Sequence, residues 1–198
     1  RRSFRQHDYF GGDDFLQYSV AIGRPGGLTL VALDSVDAGC RNGSGTLCSR
    51  RLQWLDAELA RLGTAPVVIA LHHPPFRTFI GHMDRIGLQE GGPELAEILA
   101  HHPQVERVIC GHLHRTIYAQ VGGRVVSTAP SPAHQITLDL ADEADETWML
   151  EPPGFHLHAW TTPGSLVTHA VPIGTFEGPY PLGGNGMAKT QAGRNRPG

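Results

Sequence analysis

Two short histidine runs carry the side chains best suited to chemistry. His72-His73 stands directly before Pro74-Pro75, and Gly111 precedes His112-Leu113-His114. Imidazole is both a common metal ligand and a proton carrier near neutral pH. In an extended segment residues i and i+2 point to the same side, so His112 and His114 would present their rings to one point or to two neighbouring points. Glycine at 111 would let the backbone turn tightly and come close to whatever is bound. The prolyl pair would stiffen the loop that aims His72. One histidine pair on a strand is a weak signal, because many such pairs are simply solvated. Two runs at the ends of two apolar strands favour a metal site.

The elements that must position these runs read clearly. Residues 15 to 22 and 28 to 34 are β-rich and separated by Gly23-Arg24-Pro25-Gly26-Gly27, which predicts adjacent antiparallel strands. Leu52, Leu55, Leu59 and Leu62 recur at helical spacing up to Gly63, a candidate C′ glycine. The continuous apolar run from 66 to 71 predicts a strand buried on both faces that delivers His72 and His73. A second helix is expected over 93 to 102, from a first-turn proline to His101-His102-Pro103. Residues 105 to 110 predict another buried strand, ending at the second histidine run. Short strands over 116 to 121, 124 to 127, 134 to 140, 155 to 161 and 166 to 171 suggest a meander. Residues 1 to 14 read as a helix remnant and loop, 1 to 182 as one domain, and 183 to 198 as a flexible tail poor in apolar residues. The order β-β-α-β-α-β and then further strands indicates an α/β fold with a mixed sheet covered by helices. Binding residues in such sheets gather beyond the carboxyl ends of the central strands.

Leu71-His72-His73-Pro74-Pro75 and Gly111-His112-Leu113-His114-Arg115 resemble the last two motifs of the calcineurin-like metallophosphoesterases. The stretch from Leu33-Asp34-Ser35 through Asp139 is similar to their bacterial cyclic-nucleotide and glycerophosphodiester phosphodiesterase branch, with Met83-Asp84, Gly87-Leu88 and Ala129-Pro130-Ser131 sharing in the likeness. The resemblance extends to about residue 180 and implies the C-terminal part of a four-layer αββα sandwich with mixed sheets. It also implies two divalent metal ions (Fe, Mn, Zn or Co) and a bridging hydroxide that attacks phosphorus in line. On this resemblance His72 and His112 would bind one metal and His114 the other. His73 would act beside them or toward the substrate, and His134 could reach a phosphodiester or its leaving group. The substrate would be a small-molecule phosphodiester, either a 3',5'-cyclic nucleotide or a glycerophosphodiester.

The family's Asp-x-His, Gly-Asp-x-x-Asp and Gly-Asn-His-Asp motifs do not occur in these 198 residues. Arg1-Arg2-Ser3-Phe4-Arg5 resembles the family segment immediately C-terminal to Gly-Asn-His-Asp, so the chain is expected to begin just after that motif. Three neutral imidazoles supply no carboxylate to bridge two ions, so two-metal catalysis by this chain alone is expected to be impaired. The alternative is a non-catalytic fragment, or a half-site completed by a partner, that binds a single ion.

Other features narrow the class. A net charge of −3 and scattered arginines offer no basic field for nucleic acid, and no membrane partner is expected because no apolar run is long enough to cross a bilayer. A cytoplasmic location is the default, and a homo-oligomer is compatible with the sequence. Three cysteines without CxxC spacing read as reduced thiols. Asp34 and Ser35 read as loop-capping residues, Arg77 as a solvated loop arginine, and His101 and His102 as helix-end groups. His156, His158 and His169 fall on late strands without a strand-end turn.

Overall fold

A computed structural model describes residues 15–23 and 26–182; the expectations for 1–14 and 183–198 fall outside that range. Strands β1 (Tyr18–Ile22) and β2 (Leu28–Ala32) form the expected antiparallel pair. After the short strand β3 (Gly45–Thr46) comes helix α1 (Ser49–Leu62), which buries Leu52, Leu55 and Leu59. It stops at Gly63, whose φ of 59° is in the left-handed region that glycine enters without penalty. Strand β4 (Val67–Leu71), the five-residue helix α2 (Gly81–Arg85), strand β5 (Leu88–Glu90) and helix α3 (Gly92–His101) come after it. Next are β6 (Val105–Cys110), β7 (Ile117–Val121), β8 (Arg124–Thr128), β9 (Gln135–Ile136), β10 (Trp148–Met149), β11 (Gly154–Ala159) and β12 (Val167–Pro172).

Six strands make one mixed sheet in the order β1-β2-β4-β6-β8-β7. Its centre, β2, β4, β6 and β8, is parallel, and the two edge strands run antiparallel. The α1 and α3 helices bury Leu55, Leu59, Leu95 and Leu99 against Val31, Ile69, Val108 and Val126 of the sheet. The described residues therefore contain one helix layer and one mixed sheet of the four layers that the resemblance implies. At roughly 1.5–3 kcal/mol per fully buried aliphatic side chain, this interface is the main stabilising contact of the described residues. Because β4 and β6 are adjacent and parallel, their carboxyl ends bring His72 and His112 to the same edge of the sheet.

The late strands depart from the expected meander. The hairpin of β7 and β8 joins the main sheet, with β8 parallel to β6, whereas β9–β10 and β11–β12 are separate two-stranded ribbons. The expected strand over 134 to 140 shrinks to Gln135–Ile136. Beyond it Leu138 and Leu140 are exposed and Asp139 caps its own turn by accepting from the Ala141 N–H, a local bond that competes with sheet pairing.

A candidate metal centre

Leu113, not the backbone period, sets the geometry of the second histidine run. Its side chain is 1% exposed and packs with Ile80 and Met83 beneath the loop, joined by Ile86, Ile117 and Ile136. To turn that side chain inward the backbone leaves the extended state. The Leu113 N–H donates to the Gly111 carbonyl at 2.8 Å, closing a three-residue turn around His112, and both His112 (φ 69°) and His114 (φ 52°) are left-handed. The expectation of an extended i, i+2 pair is thus corrected: burial of the intervening leucine outweighs the strand geometry. Such a turn is rare and strained, and each left-handed non-glycine residue costs on the order of 1 kcal/mol or more, a strain that typically persists at functional sites. Gly111 does not make the turn. A Cβ there would lie 3.2 Å from His72 Nδ1, a tight contact that would press on the His72 ring where it lies against the loop.

His72 Nε2 and His112 Nδ1 face each other at 3.3 Å, on rings 5.1 Å apart. His112 Nε2 and His114 Nδ1 are buried without a hydrogen-bond partner, a costly state for a polar atom unless something else satisfies it. All three rings are kept neutral. Desolvation, then the repulsion that a second proton on His73 or His114 would add, lowers the pKa of His72; desolvation and the neighbouring histidines bring His112 down to about 4; desolvation and His134 lower His114. A neutral imidazole is the form that ligates a metal.

The ligating atoms of His72, His73 and His112, without His114, all lie within 4.8 Å of one another, but His73 differs from the other two by chemistry. It is 2% exposed, and both ring nitrogens are engaged: Nδ1 with Ser35 Oγ at 2.9 Å and Nε2 with the Gly43 carbonyl at 2.8 Å. The carbonyl can only accept, so Nε2 carries the proton and the Ser35 hydroxyl donates to Nδ1. No lone pair is left for an ion. The ring also fills the space beside Gly45, where a Cβ would meet it at 2.4 Å. Arg51, buried in α1, fixes the same loop by donating to the carbonyls of Thr46 and Val36 at 2.8 and 2.7 Å.

On the other side, the His134 ring lies 4.7 Å from that of His114, and the exposed Trp148 ring lies 5.3 Å from His134. Arg115 holds this side in place. Its guanidinium donates to the Ile136 carbonyl and to Glu151, both at 2.6 Å, tying the segment from β9 to β11 to the histidine loop. A cleft of about 550 Å³ opens beside His72, lined by Gly111, Phe155, His156 and His158 among others.

The donor set fits a divalent ion held by imidazoles. It does not supply a bridge between two ions, since the one metal-sized cluster among the described residues contains histidines alone. Sequence reading missed Arg51, Arg115 and Trp148. An arginine in a helix and a tryptophan after an acidic stretch carry no positional signal of their own.

No family model matches the chain. It is 37% identical over 182 residues to a probable glycerophosphodiester phosphodiesterase of Arcobacter nitrofigilis, covering 92% of this chain and 65% of that protein. This likeness supports the calcineurin-like metallophosphoesterase family. The chain is also similar to a probable cyclic nucleotide phosphodiesterase of Synechococcus, 36% identical over 65% of this chain and 49% of that protein. A 3',5'-cyclic adenosine monophosphate phosphodiesterase of Escherichia coli is 31% identical over 54% and 38%. The chain thus spans about two fifths to two thirds of the length of these relatives. A dimetal phosphatase structure from Danio rerio superposes with a TM-score of 0.48 at 19% identity over 60% of this chain and 50% of that one, a likeness too loose to add to the assignment.

Proposed function

We propose that this chain contributes the histidine ligands of a metal-dependent phosphodiesterase centre that hydrolyses small phosphodiesters, either 3',5'-cyclic nucleotides or glycerophosphodiesters. The observation that carries the proposal is the facing pair of His72 Nε2 and His112 Nδ1, 3.3 Å apart beside two buried, unpartnered imidazole nitrogens. His72 and His112 hold one divalent ion and His114 a second, with Fe, Mn, Zn or Co as the candidates. When bound, such ions supply Lewis-acid stabilisation of phosphoryl charge and activation of a water nucleophile. His134, in contact with His114, gives a ring proton to the leaving oxygen. His73, with both nitrogens engaged, holds the loop of residues 36 to 45 against the sheet end and so fixes the direction of His72.

Hydrolysis of bis(4-nitrophenyl) phosphate by the manganese-supplemented chain tests the reading. Wild type should turn over the diester at a measurable rate, impaired by the lack of a bridging carboxylate, and His112→Ala should lose at least about 100-fold of that rate, since even groups that only orient ligands account for about 10- to 100-fold. An unchanged rate in His112→Ala would remove the assignment.

A second reading rests on the all-histidine cluster: a half-site that binds one ion and is completed by a partner. One ion bound per chain, with turnover only after a carboxylate-supplying chain is added, is its signature.

A further inference from the structure

Among the described residues, three that are not glycine take a left-handed backbone: His112, His114 and Phe79, whose φ is 65°. The first two belong to the candidate metal centre. Phe79 does not, yet a bulky side chain in that region is a costly outlier that lasts only where its surroundings enforce it. The enforcing group is Asp84. Its Oδ1 accepts from the Thr78 N–H at 2.8 Å and from the Thr78 hydroxyl at 2.7 Å, and its Oδ2 accepts from the Phe79 N–H at 2.9 Å. Arg77 closes the same turn, with Nε 3.6 Å from Oδ2 and its guanidinium 5.2 Å from the centre of the Phe79 ring. Hydrogen bonds to an ionised acceptor are roughly twice as strong as neutral ones, which suits a clamp that must hold a strained turn.

The turn is where α2 begins. The Ile80 carbonyl accepts from the Met83 and Asp84 N–H groups, both at 3.0 Å, so Asp84 is tied to the turn by its backbone as well as by its carboxylate. Ile80 and Met83 are 0% and 5% exposed and form with Leu113 the apolar cluster under the histidine loop. At its other end α2 leads to Gly87, whose carbonyl accepts from the Gly45 N–H at 3.0 Å, next to the His73 ring. A helix of five residues does not form on its own, so its place is set by this packing and by the clamp. We infer that Asp84 is a positioning residue of the histidine centre: its carboxylate holds the left-handed turn at Phe79, the turn fixes α2, and α2 seats Leu113 between His112 and His114. This role rests on the reading of those histidines as metal ligands. Asp84 itself touches no ion; it acts by keeping the two flanking rings aimed.

The test is calorimetric titration of the full chain with manganese, together with pulsed electron paramagnetic resonance of the bound ion. The proteins are wild type, Asp84→Asn, the double variant Asp84→Asn with Phe79→Gly, and Leu59→Val. Asparagine keeps the shape of Asp84 but turns an NH2 group toward N–H donors, which breaks part of the clamp. Glycine at 79 takes the left-handed turn without a clamp. Leu59→Val trims the core at the opposite end of the sheet, where Gln104 donates to the Leu59 carbonyl, and controls for lost stability alone. Circular dichroism checks that all four are folded. Asp84→Asn should bind manganese about 10-fold more weakly, as expected for a group that orients ligands, with a diminished imidazole-nitrogen signal. The double variant should recover most of that affinity, and Leu59→Val should match wild type. Wild-type affinity in Asp84→Asn, an equal loss in Leu59→Val, or no recovery in the double variant would each overturn the positioning role while the histidine centre stands. If wild type binds no manganese, both fall together.

Discussion

At the residue scale, adjacent histidines have opposite roles because of what their nitrogens already touch. His72 presents Nε2 to His112, while His73 spends both nitrogens on Ser35 and Gly43. Sequence alone places both at the strand end but cannot separate them, since the partner atoms come from a loop 30 and 38 residues earlier. Ser35→Ala should leave a buried acceptor unpaired and cost about 1–3 kcal/mol in urea unfolding, and it should loosen metal binding through His72. Protonation gives a second expectation. Folded His112 titrates at about 4 instead of 6.5 because burial disfavours its cation, so the unfolded chain takes up its proton first. Stability of the metal-free chain is then complete above pH 6.5 and declines as the pH falls toward 4. Thermal melts across that range should show the decline, and His112→Gln should make it shallower, leaving the part that His72 and His114 contribute. A profile equally steep in the variant would assign the effect to other groups.

At the scale of elements, the apolar strands and the two long helices were legible because each has a strong period or a continuous apolar run, with Gly63 and Pro93 marking a stop and a start. What escaped was set by long-range contact. The β3, β5 and α2 elements are five residues or shorter and carry no period, and the histidine loop took its turn from the burial of Leu113 rather than from local preference. That leucine is accordingly an element-level determinant of the site. Leu113→Ala should cost about 2–5 kcal/mol by opening a cavity under the loop, and it should weaken metal binding although the residue ligates nothing. Denaturant unfolding and metal titration of one variant check both. A stability loss without any change in metal affinity would show that the loop holds its shape independently of its anchor.

At the scale of the molecule, the α/β class, the mixed sheet and the place of both histidine runs beyond the carboxyl ends of central strands were readable from order and composition, whereas the adjacent, parallel pairing of those strands is a feature of the fold. The ring chain from His114 to Trp148 was not, because it depends on a ribbon whose two strands are separated by an acidic loop. Ligand linkage provides a global check: a divalent ion at 100 times its dissociation constant should add about 2.7 kcal/mol to stability, and this gain should vanish in His112→Ala. The most direct measurement is pulsed electron paramagnetic resonance of manganese bound to the full chain. Modulation from imidazole nitrogens in wild type, with binding lost or the nitrogen signal diminished in His112→Ala, is the predicted result. Manganese bound without nitrogen modulation, or with the same modulation in the variant, would contradict the histidine centre.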